Sequence, residues 1–193
     1  MIECDRLAEL ELPRSSLQKL TDDASLPQCE DLDDVHLTAF LGEITIRRLL
    51  NRIHNSLYPR KHNIRRPSLS STSLMAPEDF SLEQLSSVTA VCEELHRQLD
   101  VWHAAMPEQF RPQLGLERLE NNRISILRIR YFAARHIIYR PFVLYVTTHQ
   151  GSSISSDIIE KAGICIESCK LYLYHTSEIL KSPSQYTWTF SLS

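Results

Sequence analysis

The chain has 193 residues, 42% of them apolar, with a formal net charge of −3 and a sequence pI near 6.2. That length can bury a substantial core as one domain or as part of a larger protein, and the charge argues against binding nucleic acid by electrostatics alone. Only four glycines occur, far below the usual share of about 7%. No GxGxxG, P-loop or nucleophile-elbow pattern is present, so the expectation is an all-α fold: an irregular bundle of about four main helices with an extended N-terminal segment.

The opening "MIECDRLAEL" carries acids where a signal peptide needs a basic stretch and an apolar run. The five cysteines, Cys4, Cys29, Cys92, Cys165 and Cys169, are therefore expected to be reduced thiols. No apolar stretch approaches the roughly 20 residues that cross a bilayer, so no membrane partner is expected. Residues 1–35 are acidic and interrupted by Pro13 and Pro27; they read as an extended segment. A first helix is expected over 36–58, where Leu37, Leu41 and Ile44 make a stripe that drifts into Ile46, Leu49, Leu50, Ile53 and Leu57.

Residues 59–79, "PRKHNIRRPSLSSTSLMAPED", are basic, then serine-rich, with three prolines. They read as a flexible loop, with a localisation signal or a phosphorylation site at Ser68 as the alternative use. The second helix, 81–105, has Ser81 as N-cap and Leu85, Val88, Val91, Cys92, Leu95, Leu99 and Trp102 at steps of three and four. A third is expected over 117–149. It carries two apolar stripes, one through Ile124, Leu127, Tyr131, Ala134 and Ile138 and one through Ile126, Ile129, Ala133 and Ile137, as a central helix needs. Pro141 predicts that it kinks or stops around Arg140. A fourth helix over 155–181 turns Ile158, Ala162, Cys165, Cys169, Tyr172 and Ile179 inward, and the aromatic ending "SPSQYTWTFSLS" reads as the start of another packed helix cut short.

Three groups of side chains suggest chemistry. Glu93, His96, Asp100 and His103 lie three, four and three apart on one helix face, the spacing of a helical metal site, although a solvated polar face has the same pattern. Cys165 and Cys169 sit one turn apart with His175 beyond; they read as small buried thiols, with a redox or metal pair as the alternative. Arg130, Arg135, His136 and Arg140 interleave with apolar residues in "RYFAARHIIYRPFVLY". Their stems can cover apolar surface while the heads pair with acids on neighbouring helices, or they can grip an anion. On the first reading, Arg135→Ala strands a carboxylate at a cost of about 3 kcal/mol.

"CDRLAELELPRSSL", "SLP", "FLGEITIRRLLNRIHNSLY", "LHRQLDVWHAAMPEQF" and "LRIRYFAARHIIYRPFVLY", followed by a helix with paired cysteines, resemble in that order the regulatory middle homology region of fungal binuclear zinc cluster transcription factors. The resemblance spans about Cys4 to Lys181. It implies a nuclear regulator of RNA polymerase II transcription, with 36–193 as a partial, C-terminally truncated helical regulatory domain. DNA and zinc would belong to an N-terminal six-cysteine cluster that this chain lacks, so no cofactor, metal ligand or catalytic residue is carried over, and no enzyme activity. Transcriptional co-regulators or a small-molecule effector are the implied partners. Tyr131, Arg135, Arg140, Pro141 and Phe142 match the family's most recognisable stretch and are read as architectural. The alternative is a stand-alone helical ligand-binding protein, or a metal-assisted enzyme using His96, Asp100 and His103.

Overall fold

The computed structural model describes residues 25, 33–58, 82–149 and 153–181. Among them are four α-helices and one short 3-10 turn, with no strand: α1 (Asp34–Leu57), α2 (Leu82–Ala105), the turn Glu108–Phe110, α3 (Asn122–Thr148) and α4 (Ser156–Leu180). The fold is an all-α bundle. The expected extended segment before residue 33, the Ser/Pro-rich loop and the aromatic C-terminal stretch lie outside the described residues.

α1 starts two residues before the expected boundary because Asp33 caps it. The Asp33 carboxylate accepts from the His36 backbone N–H at 2.8 Å and from the His36 ring at 2.6 Å. The buried line of α1 runs through Ala39, Gly42, Ile46, Leu49, Leu50, Ile53 and Leu57; Leu37, Leu41 and Ile44 are only half-buried. The shift has a steric cause at Gly42. A Cβ there would lie 2.2 Å from Met106 Sδ, and Trp102 Nε1 donates to the Gly42 carbonyl at 2.9 Å, so the bare backbone is what lets the end of α2 close onto α1.

α3 is the hub: it contacts α1, α2 and, most extensively, α4. It is buried almost all round, and Arg128 and Arg130, 3% and 7% exposed, are inside with the apolar residues. α3 begins at Asn122 rather than near Glu117. Asn121 caps it, its side chain accepting from the Arg123 N–H at 2.9 Å, and Arg128 holds the preceding connector out of the helix. Its Nη1 donates to the carbonyls of Gln113, Gly115 and Glu117 at 3.4, 3.2 and 2.8 Å, which fixes those peptides in a non-helical path. The Glu43–Arg123 ion pair joins α1 to the first turn of α3.

The expected stop at Pro141 does not occur: α3 runs through the proline to Thr148. A proline lacks the N–H that would bond the carbonyl four residues back, here that of Ile137. The Tyr58 hydroxyl, at the end of α1, donates to that carbonyl at 2.9 Å. On the same turn, the Cys92 thiol of α2 donates to the Ile138 carbonyl at 3.0 Å and the Cys165 thiol of α4 to the His136 carbonyl at 3.2 Å. The Arg140 guanidinium lies 5.9 Å from the centre of the Tyr58 ring, and Phe142 is fully buried. Three neighbouring helices thus supply donors to one turn, and the turn stays helical.

The two members of this arrangement are separable by mutation. Tyr58→Phe should destabilise the fold by about 1 kcal/mol, since it leaves a carbonyl without a donor. In a Pro141→Ala background, where residue 141 regains its amide, the same change should cost less than about half of that. Urea unfolding of the four proteins measures the coupling, and equal costs in both backgrounds would show that the hydroxyl does not serve the proline.

Candidate functional site

The polar groups singled out in the sequence meet along the seam between α2 and α3. Asp100 is its centre: the Tyr131 hydroxyl donates to Oδ1 at 3.3 Å, and His96 Nε2 lies 3.4 Å from Oδ2. The rings close the seam, His96 edge-on to Tyr139 at 5.4 Å and His103 against Tyr131 at 5.4 Å. Tyr131 and Tyr139 are buried, at 4% and 6% exposure. Burial, with the Asp100 charge beside it, pushes the Tyr131 phenol up to about 12. Burial also raises Tyr139.

His96 is held below its ordinary pKa, first by desolvation and then by the Arg135 guanidinium, while Asp100 pulls the other way. Its Nδ1 is buried and meets no partner among the described residues. Helical spacing therefore brings together two of the four candidate ligands. Glu93 turns away to α4, where its carboxylate is 3.7 Å from Lys161, and His103 Nε2 lies 2.8 Å from the Pro112 carbonyl. That contact requires the proton on Nε2, because a carbonyl only accepts. Among the described residues, no three His, Cys, Asp or Glu side chains converge as a metal site needs.

Arg135 corrects the sequence expectation. No carboxylate lies within 4 Å of it among the described residues, and its Nε is buried without a partner. It sits instead where its charge acts on Tyr131, Tyr139 and His96. The partner that the sequence reading assigned to it, a carboxylate on another helix, belongs to Arg123, whose acid is Glu43. Arg140 is exposed and takes an aromatic ring, Tyr58, in place of an acid. His136 is held below its usual pKa by burial and by Arg140, and its ring faces Tyr172 at 5.8 Å.

On α4, Cys165 is buried but Cys169 and Tyr172 are only half-buried, while Ser168 and His175, not expected inside, are 0% and 2% exposed. Burial, reinforced by Cys169, pushes the Cys165 thiol up to about 11, and burial pushes Cys92 to about 12. Both are far from the thiolate form that redox or metal chemistry needs. Arg128, seven residues before Arg135 on the same helix row and given a structural role with it by that spacing, is structural, although its partners are connector carbonyls and not an acid.

No helix among the described residues is long and apolar enough to cross a membrane. No protein-family model, curated protein or solved structure matches the chain.

His96 reports on the seam directly. Arg135→Met removes a repelling charge and should raise the His96 pKa, whereas Asp100→Asn removes an attracting one and should lower it further. Arg135→Met should cost less than about 1 kcal/mol, because it breaks no ion pair among the described residues. Imidazole titration by NMR, alongside thermal melts, measures both. Since His96, His136 and His175 are all held below the ordinary value, the unfolded chain binds more protons than the fold once pH drops below about 6.5. Stability should therefore be full above that pH and fall as the solution is acidified.

Proposed function

We propose that this chain is the helical regulatory region of a nuclear transcription factor of the fungal binuclear zinc cluster class, acting on RNA polymerase II transcription. One observation carries the reading. Two separate stretches that bear the resemblance, "FLGEITIRRLLNRIHNSLY" and "YRPF", meet in space: Tyr58 ends the first, Pro141 lies in the second, and the hydroxyl of one serves the carbonyl freed by the other. Residue types that recur together in a loose motif acquire a shared physical reason here. The same reasoning makes Tyr131, Pro141 and Phe142 parts of the scaffold. Arg135 and Arg140 are charges arranged around it, and none of the five touches a substrate on this reading.

DNA contact and zinc enter this proposal through an N-terminal zinc cluster outside this chain, while transcriptional co-regulators or a small-molecule effector would act on the helical region itself. The metal-assisted alternative draws on His96 and Asp100, which are adjacent, and on His103, which is bonded elsewhere; the regulatory reading is preferred because it accounts for the ordered motifs as well.

Placed between a heterologous DNA-binding module and a constitutive activation domain in a fungal host, the chain should change reporter output at least threefold in either direction. Output unchanged from the fusion without the chain, with the protein present and folded, would count against the regulatory role. The chain alone, at net charge −3, should give no sequence-selective gel shift with duplex DNA, since phosphate contacts supply most of the affinity of such complexes.

A further inference from the structure

The connector before α3, the first turns of α3 and the last turns of α4 enclose a cleft of about 450 Å³, within the size range of small-ligand sites. Two of its walls are charged or polar side chains that burial ought to have paired. Arg128 is 3% exposed and permanently cationic. Its Nη1 is spent on backbone carbonyls, no carboxylate lies within 4 Å of it among the described residues, and its Nε is buried without a partner. His175 is 2% exposed, and neither ring nitrogen has a hydrogen-bond partner there. The imidazole is stacked on Phe132 at 5.7 Å and edge-on to Tyr174 at 5.1 Å, and the Gly115 carbonyl beside it favours its protonated form. Orphaned buried polar atoms each carry a desolvation cost, and Arg128 and His175, which both line the cleft, hold three such atoms behind its surface, where a ligand that draws the two side chains outward would pair them.

We propose that this cleft binds a small organic monocarboxylate with an apolar body, its carboxylate accepting from Arg128 and His175. The mouth sets the class. Leu116 and Tyr174 are 61% and 43% exposed there and offer an apolar and aromatic surface. Glu117, Glu120 and Glu178 also line it, and their charges repel a multiply charged anion such as phosphate more than a single carboxylate. Arg118 offsets part of that repulsion, and Glu178 is engaged by Lys181. Desolvation, then the Arg128 charge, holds His175 at about 4, with Glu117 and Glu178 pulling it upward; a carboxylate placed between ring and guanidinium would cancel that repulsion and raise it. The proposal is independent of the transcriptional reading: it is tested on the chain alone, whereas the reporter experiment needs no ligand.

Benzoate is the probe, with benzamide as its uncharged analogue and inorganic phosphate as the competing anion. NMR titration should show saturable shifts at His175 and at the Arg128 Nε–H with benzoate, and at least tenfold weaker binding of the other two. The His175 pKa should rise when benzoate saturates the site. His175→Phe keeps a ring to stack on Phe132 but removes both nitrogens, so it should weaken benzoate at least tenfold while retaining the wild-type melt. If that variant does not fold, the pKa rise in the wild-type protein is the deciding measurement. Non-saturable benzoate shifts, equal binding of benzamide or phosphate, or an unmoved His175 pKa at saturation would each overturn the proposal.

Discussion

A proline inside a helix removes one amide donor and leaves one carbonyl to be satisfied from elsewhere, and in this bundle that carbonyl belongs to Ile137. The Tyr58 hydroxyl reaches it from the end of α1. Because the Cys92 and Cys165 thiols bond to the two carbonyls that flank it, α1, α2 and α4 are all registered against the same turn of α3. A slide of α1 by one turn would leave the Ile137 carbonyl without a donor, which costs more than loss of apolar contact alone; a slide of α2 or α4 would remove a weaker thiol bond from a carbonyl that keeps its helical amide. The weak point of the central helix is thus the place where the bundle is aligned.

The arginines of α3 show why charge inside an apolar helix has no single meaning. Arg123 pairs with Glu43, Arg140 lies over Tyr58, Arg128 holds three carbonyls of the connector, and Arg135 stands beside two tyrosines and a histidine. Guanidinium tolerates all four settings because it spreads its charge and carries five donors on a stem that is itself apolar. The settings differ in what they leave over. Arg123 is neutralised and Arg140 is exposed to solvent, whereas Arg128 remains a buried cation met by carbonyl dipoles and by the Glu117 charge, with no carboxylate in ion-pair contact among the described residues.

Much of the fold was legible in the sequence. Helix number, type and rough bounds follow from apolar periodicity, and α2 matches within one residue at its start. The misses have local causes. The α3 start was read too early because Glu117 to Glu120 has ordinary helix composition, and only a three-dimensional contact, Arg128 to the connector carbonyls, keeps it unwound. The stop at Pro141 was expected from the chain's own chemistry, and the donor that removes the need for it lies 79 residues away in sequence. On α4, Ile159, Ile166, Leu173 and Leu180 recur every seven residues yet are 55%, 49%, 59% and 44% exposed, while Ser168 and His175 are buried. Periodicity placed Ile158, Ala162, Cys165 and Ile179 inward as found; it named Cys169 and Tyr172 where Ser168 and His175 are buried, because an apolar pattern cannot flag a buried polar side chain.

The seam and the cleft were invisible for a different reason: each joins residues whose pairing depends on how helices cross. His96 and Asp100 are neighbours by helical spacing alone, but Tyr131 and Arg135 complete their surroundings from α3. Arg128 and His175 come from helices that run side by side in opposite directions, the start of α3 beside the end of α4. Arg128 also belongs to two structures at once, since the guanidinium that lines the cleft is the one that fixes Gln113, Gly115 and Glu117. An anion that neutralises it reduces the cost of its burial in the folded state and finds no equivalent site in the unfolded chain. Occupancy of the cleft and order in the connector are therefore linked through a single side chain, and whatever binds the first stabilises the second by mass action.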